Sequence, residues 1–292
     1  MDRGRITLLG VPIDSVGEAG GTEHGPAALR RRLSPGLRDA GDTGVRLRGG
    51  VRDPESGWLD FENVVAMSVE VRARVAAIVE AEEVPLILGG CCSLLPAALA
   101  GARDSLGEIG LAYFDGHLDL FTGESSPTGE AADMPVAATL GLAPPSLIKA
   151  IGPVPVVAPG RMVLIGARDT EEFELIAPLP EGLGIGRIVD REALRGADLS
   201  EVGRSVAEWL TENEGRFWLH LDVDVLDGKA FPATDYLMDD GLDLEELREL
   251  LVPIASSPGV IGINLTCFSP DKDPGGSCGM ALACLLEATV LT

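Results

Sequence analysis

The sequence predicts an α/β fold in which a mostly parallel sheet lies between helices. Two observations carry that expectation. Short apolar runs alternate with longer segments of helical period from one end of the chain to the other. Such alternation favours parallel strands covered on both faces. No internal repeat and no linker interrupts it, so residues 1–292 are expected to form a single domain.

Strands are expected at 6–11, 85–88, 111–114, 162–165, 185–189, 217–221 and 260–264. Helices are expected at 26–37, 63–82, 94–103, 199–211, 244–255 and 280–289. Pro26 and Pro96 fall in first helical turns, where the missing N–H costs nothing. Thr211 is followed by Glu212-Asn213-Glu214-Gly215, a helix end ahead of the strand at Phe217. The Gly- and Pro-rich stretches 53–57 and 269–277 read as surface loops. Ligand sites in such sheets lie beyond the carboxyl ends of the strands, so the residues just after each apolar run are the ones to inspect.

Composition narrows the function. Hydrophobic residues make up 46 % and aromatics only 4 %, which implies a folded chain with an aliphatic core. Lys and Arg number 23 against 46 Asp and Glu, a net charge of −23. That surface repels phosphate backbones and argues against nucleic acid as a partner, while cations are drawn to it. Most of this charge is expected to be surface solvation. Five cysteines, an odd number without a CxxC pair, do not form a disulfide framework. The apolar run near the start is too short for a signal peptide, and no run reaches membrane length. The expectation is a cytoplasmic protein with a small-molecule substrate and no membrane partner.

Two carboxylate clusters follow apolar runs. In Asp115-Gly116-His117-Leu118-Asp119, alternate residues of an extended segment would project Asp115, His117 and Asp119 to one side. Carboxylates with an imidazole suit a divalent transition metal, although a polar surface loop would carry the same residues. In His220-Leu221-Asp222-Val223-Asp224, two acids share a side at the edge of a core. Their repulsion and desolvation are relieved by a bound cation, by helix capping or by salt bridges. His220 is expected to be a packed, hydrogen-bonded core histidine. Together the clusters supply enough donors for two metals, which activate water near neutral pH.

Taken in order, these segments resemble the arginase/agmatinase (ureohydrolase) family. Gly21-Thr22-Glu23-His24-Gly25-Pro26 resembles the glycine-proline segment leading into the family's first helix. Gly89-Gly90-Cys91-Cys92-Ser93 resembles its G-G-D-H-S element, and Asp115-Gly116-His117-Leu118-Asp119 its D-A-H-x-D element. Ile165-Gly166-Ala167-Arg168-Asp169 resembles its G-x-R segment. Asp222-Val223-Asp224-Val225-Leu226-Asp227 resembles its D-x-D-x-x-D element, with Phe231-Pro232-Ala233-Thr234 and Gly241-Leu242 matching beyond it.

The resemblance implies a three-layer arginase/deacetylase-like fold with a roughly eight-stranded sheet. It also implies a trimer or hexamer and up to two divalent metals per chain, usually manganese. Asp115 and Asp222 would bridge the metals, Asp119 and Cys92 would complete one, and His117 and Asp224 the other. A metal-bridging hydroxide would attack an amidino or guanidino carbon, with Asp119 carrying its proton to the leaving amine.

The chain departs from the family at several points. Cys92 stands in place of the metal-binding histidine, and its thiolate favours zinc or another thiophilic ion. Cys91 stands in place of the neighbouring aspartate and reads as a small buried side chain. Ala132 occupies the position of a catalytic histidine, and Phe121 that of an asparagine that holds the substrate. Thr128 is a substitute substrate contact. Gly262 falls where the resemblance places the acid that anchors a guanidinium. Glu130 and Asp133 are candidate catalytic or cation-binding acids, though Glu130 also suits a cap for a helix starting near Ala131. Glu171 is a further candidate substrate contact. These departures point to a C–N bond of a linear amidino, guanidino or related amide other than arginine. The alternatives are a catalytically silent binding or regulatory relative, and a mononuclear deacetylase-like amide hydrolase.

Overall fold

The structure, a computed structural model, describes residues 3–15, 20–47, 50–170 and 183–291. Eight strands form one sheet: β1 Ile6–Val11, β2 Arg38–Asp42, β3 Val84–Gly89, β4 Gly110–Phe114, β5 Met162–Ile165, β6 Arg187–Val189, β7 Phe217–Asp222 and β8 Val260–Thr266. Their order is β2-β1-β3-β8-β7-β4-β5-β6. Every pairing is parallel. The expected fold class is therefore the observed one.

The central strands are buried along nearly their whole length, as expected for a sheet covered on both faces. β2 is the exception. Its sequence, Arg-Asp-Ala-Gly-Asp, carries no apolar signal and is mostly exposed at the sheet edge, so patterning does not reveal it. β6 is shorter than expected, spanning Arg187–Val189.

Helices α1 Gly25–Arg30, α2 Phe61–Glu80, α3 Leu95–Leu106, α4 Pro135–Leu140, α5 Pro145–Ile151, α6 Arg191–Leu194, α7 Leu199–Thr211, α8 Leu244–Ala255 and α9 Ser277–Thr289 cover the sheet. One layer is α2, α3 and α5 in mutual contact, joined by α4; the other links α7 to α8, α8 to α9 and α9 to α1. α2 buries Val64, Met67, Ser68, Val71, Val75, Ile78 and Val79, the stripe expected of a helix lying on a sheet. α8 begins with a capping box, in which Asp243 accepts from the Glu246 N–H and Glu246 from the Asp243 N–H. α1 is shorter than the expected 26–37, while Pro26 and Pro96 do sit in first helical turns. No described helix is long and apolar enough to cross a membrane.

Adjacent β3, β8, β7 and β4 all run in one direction, so their carboxyl ends open at one edge of the sheet. Residues 90–93, 115–119, 222–225 and 266–268 emerge there side by side.

Candidate metal centre

A cavity of about 620 Å³ lies at this edge. Among the described residues it is lined by eight acids: Asp115, Asp119, Glu130, Asp133, Asp169, Asp222, Asp224 and Asp235. The basic side chains lining it are His117 and Lys272. Lys272 is turned to backbone, donating to the carbonyls of Thr234 (2.8 Å) and Asp235 (3.1 Å).

The carboxylates are converged by turns rather than by strand alternation. β4 ends at Phe114, and Asp119 has a positive φ of 50°, so 115–119 curls instead of extending. Asp115 Oδ1 accepts the His117 N–H at 2.7 Å, which bends the loop back on itself. β7 ends at Asp222, whose Oδ1 caps the following turn by accepting the Asp224 N–H at 3.0 Å. Asp224 in turn accepts the Gly116 N–H at 2.9 Å and ties the two loops together. Arg168 clamps the same crossing, with its guanidinium donating to the carbonyls of Asp224 and Val225. Asp222 is thus both a cap and a site acid.

His117 Nδ1 lies 2.9 Å from Asp224 and 3.4 Å from Asp115. Potential ligand atoms of Asp115, His117 and Asp119 lie within 4.8 Å of one another, as do those of Asp115, His220 and Asp222. Burial raises the Asp115 carboxyl to about 7, helped by the charge of Asp224. Burial and neighbouring acids also hold Asp119 and Asp222 well above the usual range. Burial opposes the positive charge on His117, but Asp224 and Asp115 outweigh it and hold the imidazolium well above its usual range. Carboxylates that repel one another this strongly are the electrostatic setting a divalent ion relieves, and the donor set suits one.

His220 contributes differently. Trp218 Nε1 can only donate, and it does so to Asn264 Oδ1 at 2.6 Å. The Asn264 amide then donates to His220 Nδ1 at 2.6 Å, so the neutral ring carries its proton on Nε2. That atom faces Asp115 at 3.9 Å and has no hydrogen-bond partner. Burial lowers the ring's pKa to about 3, and the ring stacks on Tyr113 at 4.4 Å. His220 is a hydrogen-bonded core histidine as expected, with its free N–H facing Asp115. Tyr113 in turn donates its hydroxyl to Asp119.

Of the other expected site residues, Cys92, Phe121, Thr128, Glu130 and Asp133 line the cavity. Asp133 Oδ2 accepts from Ser126 and Thr128, both at 2.6 Å, which holds the loop. Glu130 precedes the short turn Ala131–Asp133 but makes no side-chain capping bond to it. Glu171 lies outside the described residues.

Gly262 requires a correction. It sits mid-strand opposite Trp218, and a Cβ there would come within 2.1 Å of the indole, so it cannot stand in for a cavity acid. The residue that β8 delivers to the cavity is Cys267, just beyond the strand end. Sequence reading also missed Asp235, Asp169, Tyr236 and Lys272 as lining residues. Asp235 directly follows the Phe-Pro-Ala-Thr segment, and that adjacency was the available signal.

The third feature is sulfur. Cys91, Cys92 and Cys267 are buried and form one cluster, with Cys91 Sγ 3.8 Å from each of the other two sulfurs. Cys91 Sγ also lies 3.9 Å from Asp235 Oδ2. Contacts with Cys267 and then Cys92 hold the Cys91 thiol well below its usual range, whereas burial pushes Cys267 well above it.

Fold and site together define a three-layer α/β protein with an acidic, metal-suited centre at the carboxyl edge of a parallel sheet. A model of the arginase family matches residues 4–291, and the chain belongs to that family of hydrolases. It is 29 % identical to the arginase of Bacillus caldovelox over 279 residues, covering 92 % of each chain. It is 29 % identical to the arginase of Bacillus subtilis strain 168 over 264 residues, covering 88 % of this chain and 87 % of the relative. The solved Bacillus caldovelox arginase superimposes with a TM-score of 0.87 at 26 % identity, covering 98 % of this chain and 97 % of that one. The agmatine ureohydrolase of Thermoplasma volcanium shares the fold, with a TM-score of 0.72 at 20 % identity, covering 99 % of this chain and 89 % of that one.

Proposed function

We infer that this chain hydrolyses a C–N bond of a linear, cationic amidino or guanidino compound, or a related amide, using up to two divalent ions. The observation that carries this reading is the meeting of Asp115, His117, Asp119, Asp222 and Asp224 on one cavity wall. Asp115 is common to the two groups of potential donors, Asp115-His117-Asp119 and Asp115-His220-Asp222, and together with Asp222 would help to hold the ions. Asp119 would complete one ion, and His117 with Asp224 the other. Manganese fits the oxygen-rich part of this set and is the metal the family resemblance implies. When bound, such ions supply Lewis acidity and make hydroxide available near neutral pH.

The chain's own groups supply the rest. Asp119, oriented by the Tyr113 hydroxyl, takes up a proton from the attacking water and delivers it to the departing amine. Asp235, Asp169 and Glu130 give the cavity the negative potential that attracts a cation. Thr128 and Phe121 line the same cavity and are candidate substrate contacts. Glu171 is retained as a candidate substrate contact. A cytoplasmic homo-oligomer remains the reading drawn from the family.

The test is turnover. The chain, loaded in turn with manganese and with zinc, is screened against guanidino, hydroxyguanidino and amide compounds for urea, ammonia or amine. Release that depends on both the metal and Asp119 is expected. Silence with every metal and substrate class would overturn the reading in favour of a binding or regulatory relative.

A further inference from the structure

We propose that Cys91, Cys92 and Cys267 form a second metal site that takes a thiophilic divalent ion of the zinc class, with the Asp235 carboxylate beside Cys91. This site goes beyond the acid and imidazole centre and does not depend on its activity. Three observations converge on it.

The first is spacing. A tetrahedral zinc ion with Zn–S bonds of about 2.3 Å has S···S edges of about 3.8 Å. Cys91 Sγ lies 3.8 Å from both Cys92 Sγ and Cys267 Sγ. All three sulfurs lie within 4.8 Å of one another, and the Asp235 carboxylate lies 3.9 Å from Cys91 Sγ. Small side chains packed merely as hydrophobes have no reason to bring a carboxylate into that position.

The second is how the backbone gathers the sulfurs. Gly90 brings the end of β3 so close to the segment after β1 that a Cβ would come within 1.8 Å of the Ile13 carbonyl. Cys267 adopts a left-handed φ of 65° and donates its N–H to the Gly90 carbonyl at 2.6 Å. A left-handed conformation at a non-glycine residue persists where the surroundings enforce it.

The third is access. Cys92 and Cys267 line the cavity together with Asp235, so an ion entering from solvent reaches the cluster without unfolding. Cys91 lies behind them, fully buried. Three sulfurs select zinc or cadmium over manganese, whereas the neighbouring oxygen donors select the reverse. The cavity is thereby divided by donor softness.

The test uses the full-length chain, purified under reductant, stripped of metal and titrated with cadmium(II). The expected result is one tight equivalent with an ultraviolet thiolate-to-cadmium charge-transfer band. Cys91→Ser and Cys267→Ser are each expected to weaken that equivalent by about 10²-fold. Asp222→Asn and Asp115→Asn should leave the band in place, which separates this site from the acidic one. In case the serine variants fail to fold, a wild-type alkylation experiment with mass spectrometry gives a second readout. Zinc should shield Cys91, Cys92 and Cys267 while exposed Cys284 still reacts. Absence of the band, its loss in Asp222→Asn with Cys91→Ser unaffected, or equal alkylation with and without zinc would each overturn the proposal.

Discussion

The two halves of the cavity floor are built alike and equipped differently. On one side, the loops after β4 and β7 carry carboxylates and imidazole. On the other, the ends of β3 and β8 carry thiols. Both sets leave the same edge of one parallel sheet, and both are brought together by turns with unusual backbone geometry, at Asp119 and at Cys267. The scaffold therefore decides where donors meet, and the side chains decide which ion they suit. The acidic half is also wired into the core, through Tyr113 to Asp119 and through Trp218, Asn264 and His220 toward Asp115. The sulfur half is held by contacts among its members, by Asp235 and by the Ala132 carbonyl, to which Cys92 donates at 3.4 Å.

The largest expected effect breaks the acidic half. Asp222→Asn removes one of the charges proposed to hold the ions, and turnover on any substrate found should fall by about 10³-fold or more, with manganese lost from elemental analysis. Retained turnover would mean that the reaction is run from elsewhere.

Asn264→Leu cuts the wiring without touching the cavity. It leaves Trp218 Nε1 and His220 Nδ1 buried without partners, so urea unfolding should show a loss of about 2–4 kcal/mol. Manganese affinity, measured by calorimetry, should drop by about 10-fold to 100-fold as Asp115 loses its oriented neighbour. Unchanged affinity would make His220 purely a packing residue.

Burial of the acidic half, together with its crowded charges, predicts a pH dependence for the metal-free chain. Asp115 is raised from 3.8 to about 7, with Asp119 and Asp222 shifted the same way. Groups with raised folded-state values contribute stability that is complete below the unfolded value and lost as pH climbs through the folded one. His220, lowered to about 3, works in the opposite direction below 6.5 but is a single group. Thermal unfolding in chelator should therefore have a midpoint lower at pH 8 than at pH 5, on the order of 5 °C. Added manganese should remove the difference.

Gly262→Ala should cost about 1–3 kcal/mol by forcing Trp218 to move, with no change in metal stoichiometry. A change in metal content would return Gly262 to the site. The smallest effect is expected at Asp133→Asn, which weakens the Ser126 and Thr128 bonds that hold its loop, for about 1 kcal/mol. A large loss of turnover without that small stability change would instead support its candidate catalytic role.

Legibility differed sharply between residues. Asp115, His117, Asp119, Asp222 and Asp224 were readable because polar residues directly after apolar runs are conspicuous. β2 was not, because an exposed edge strand needs no apolar face. Gly262 was misplaced because counting along β8 gives no information about which residue reaches the strand end in space. Cys267 is five residues further on, and its role depends on a neighbour at Cys91 that is distant in sequence.

By itself, then, the order of residues settled the alternation of strands and helices, the parallel sheet and the principal acidic donors. Those follow from local periodicity and from where apolar runs stop, which are properties of short segments. Only the tertiary structure decided the His220 tautomer, the left-handed turns and the meeting of three sulfurs with Asp235. Those depend on which strands lie side by side, and adjacency in a sheet of order β2-β1-β3-β8-β7-β4-β5-β6 is set by long-range packing that no short stretch of chain encodes.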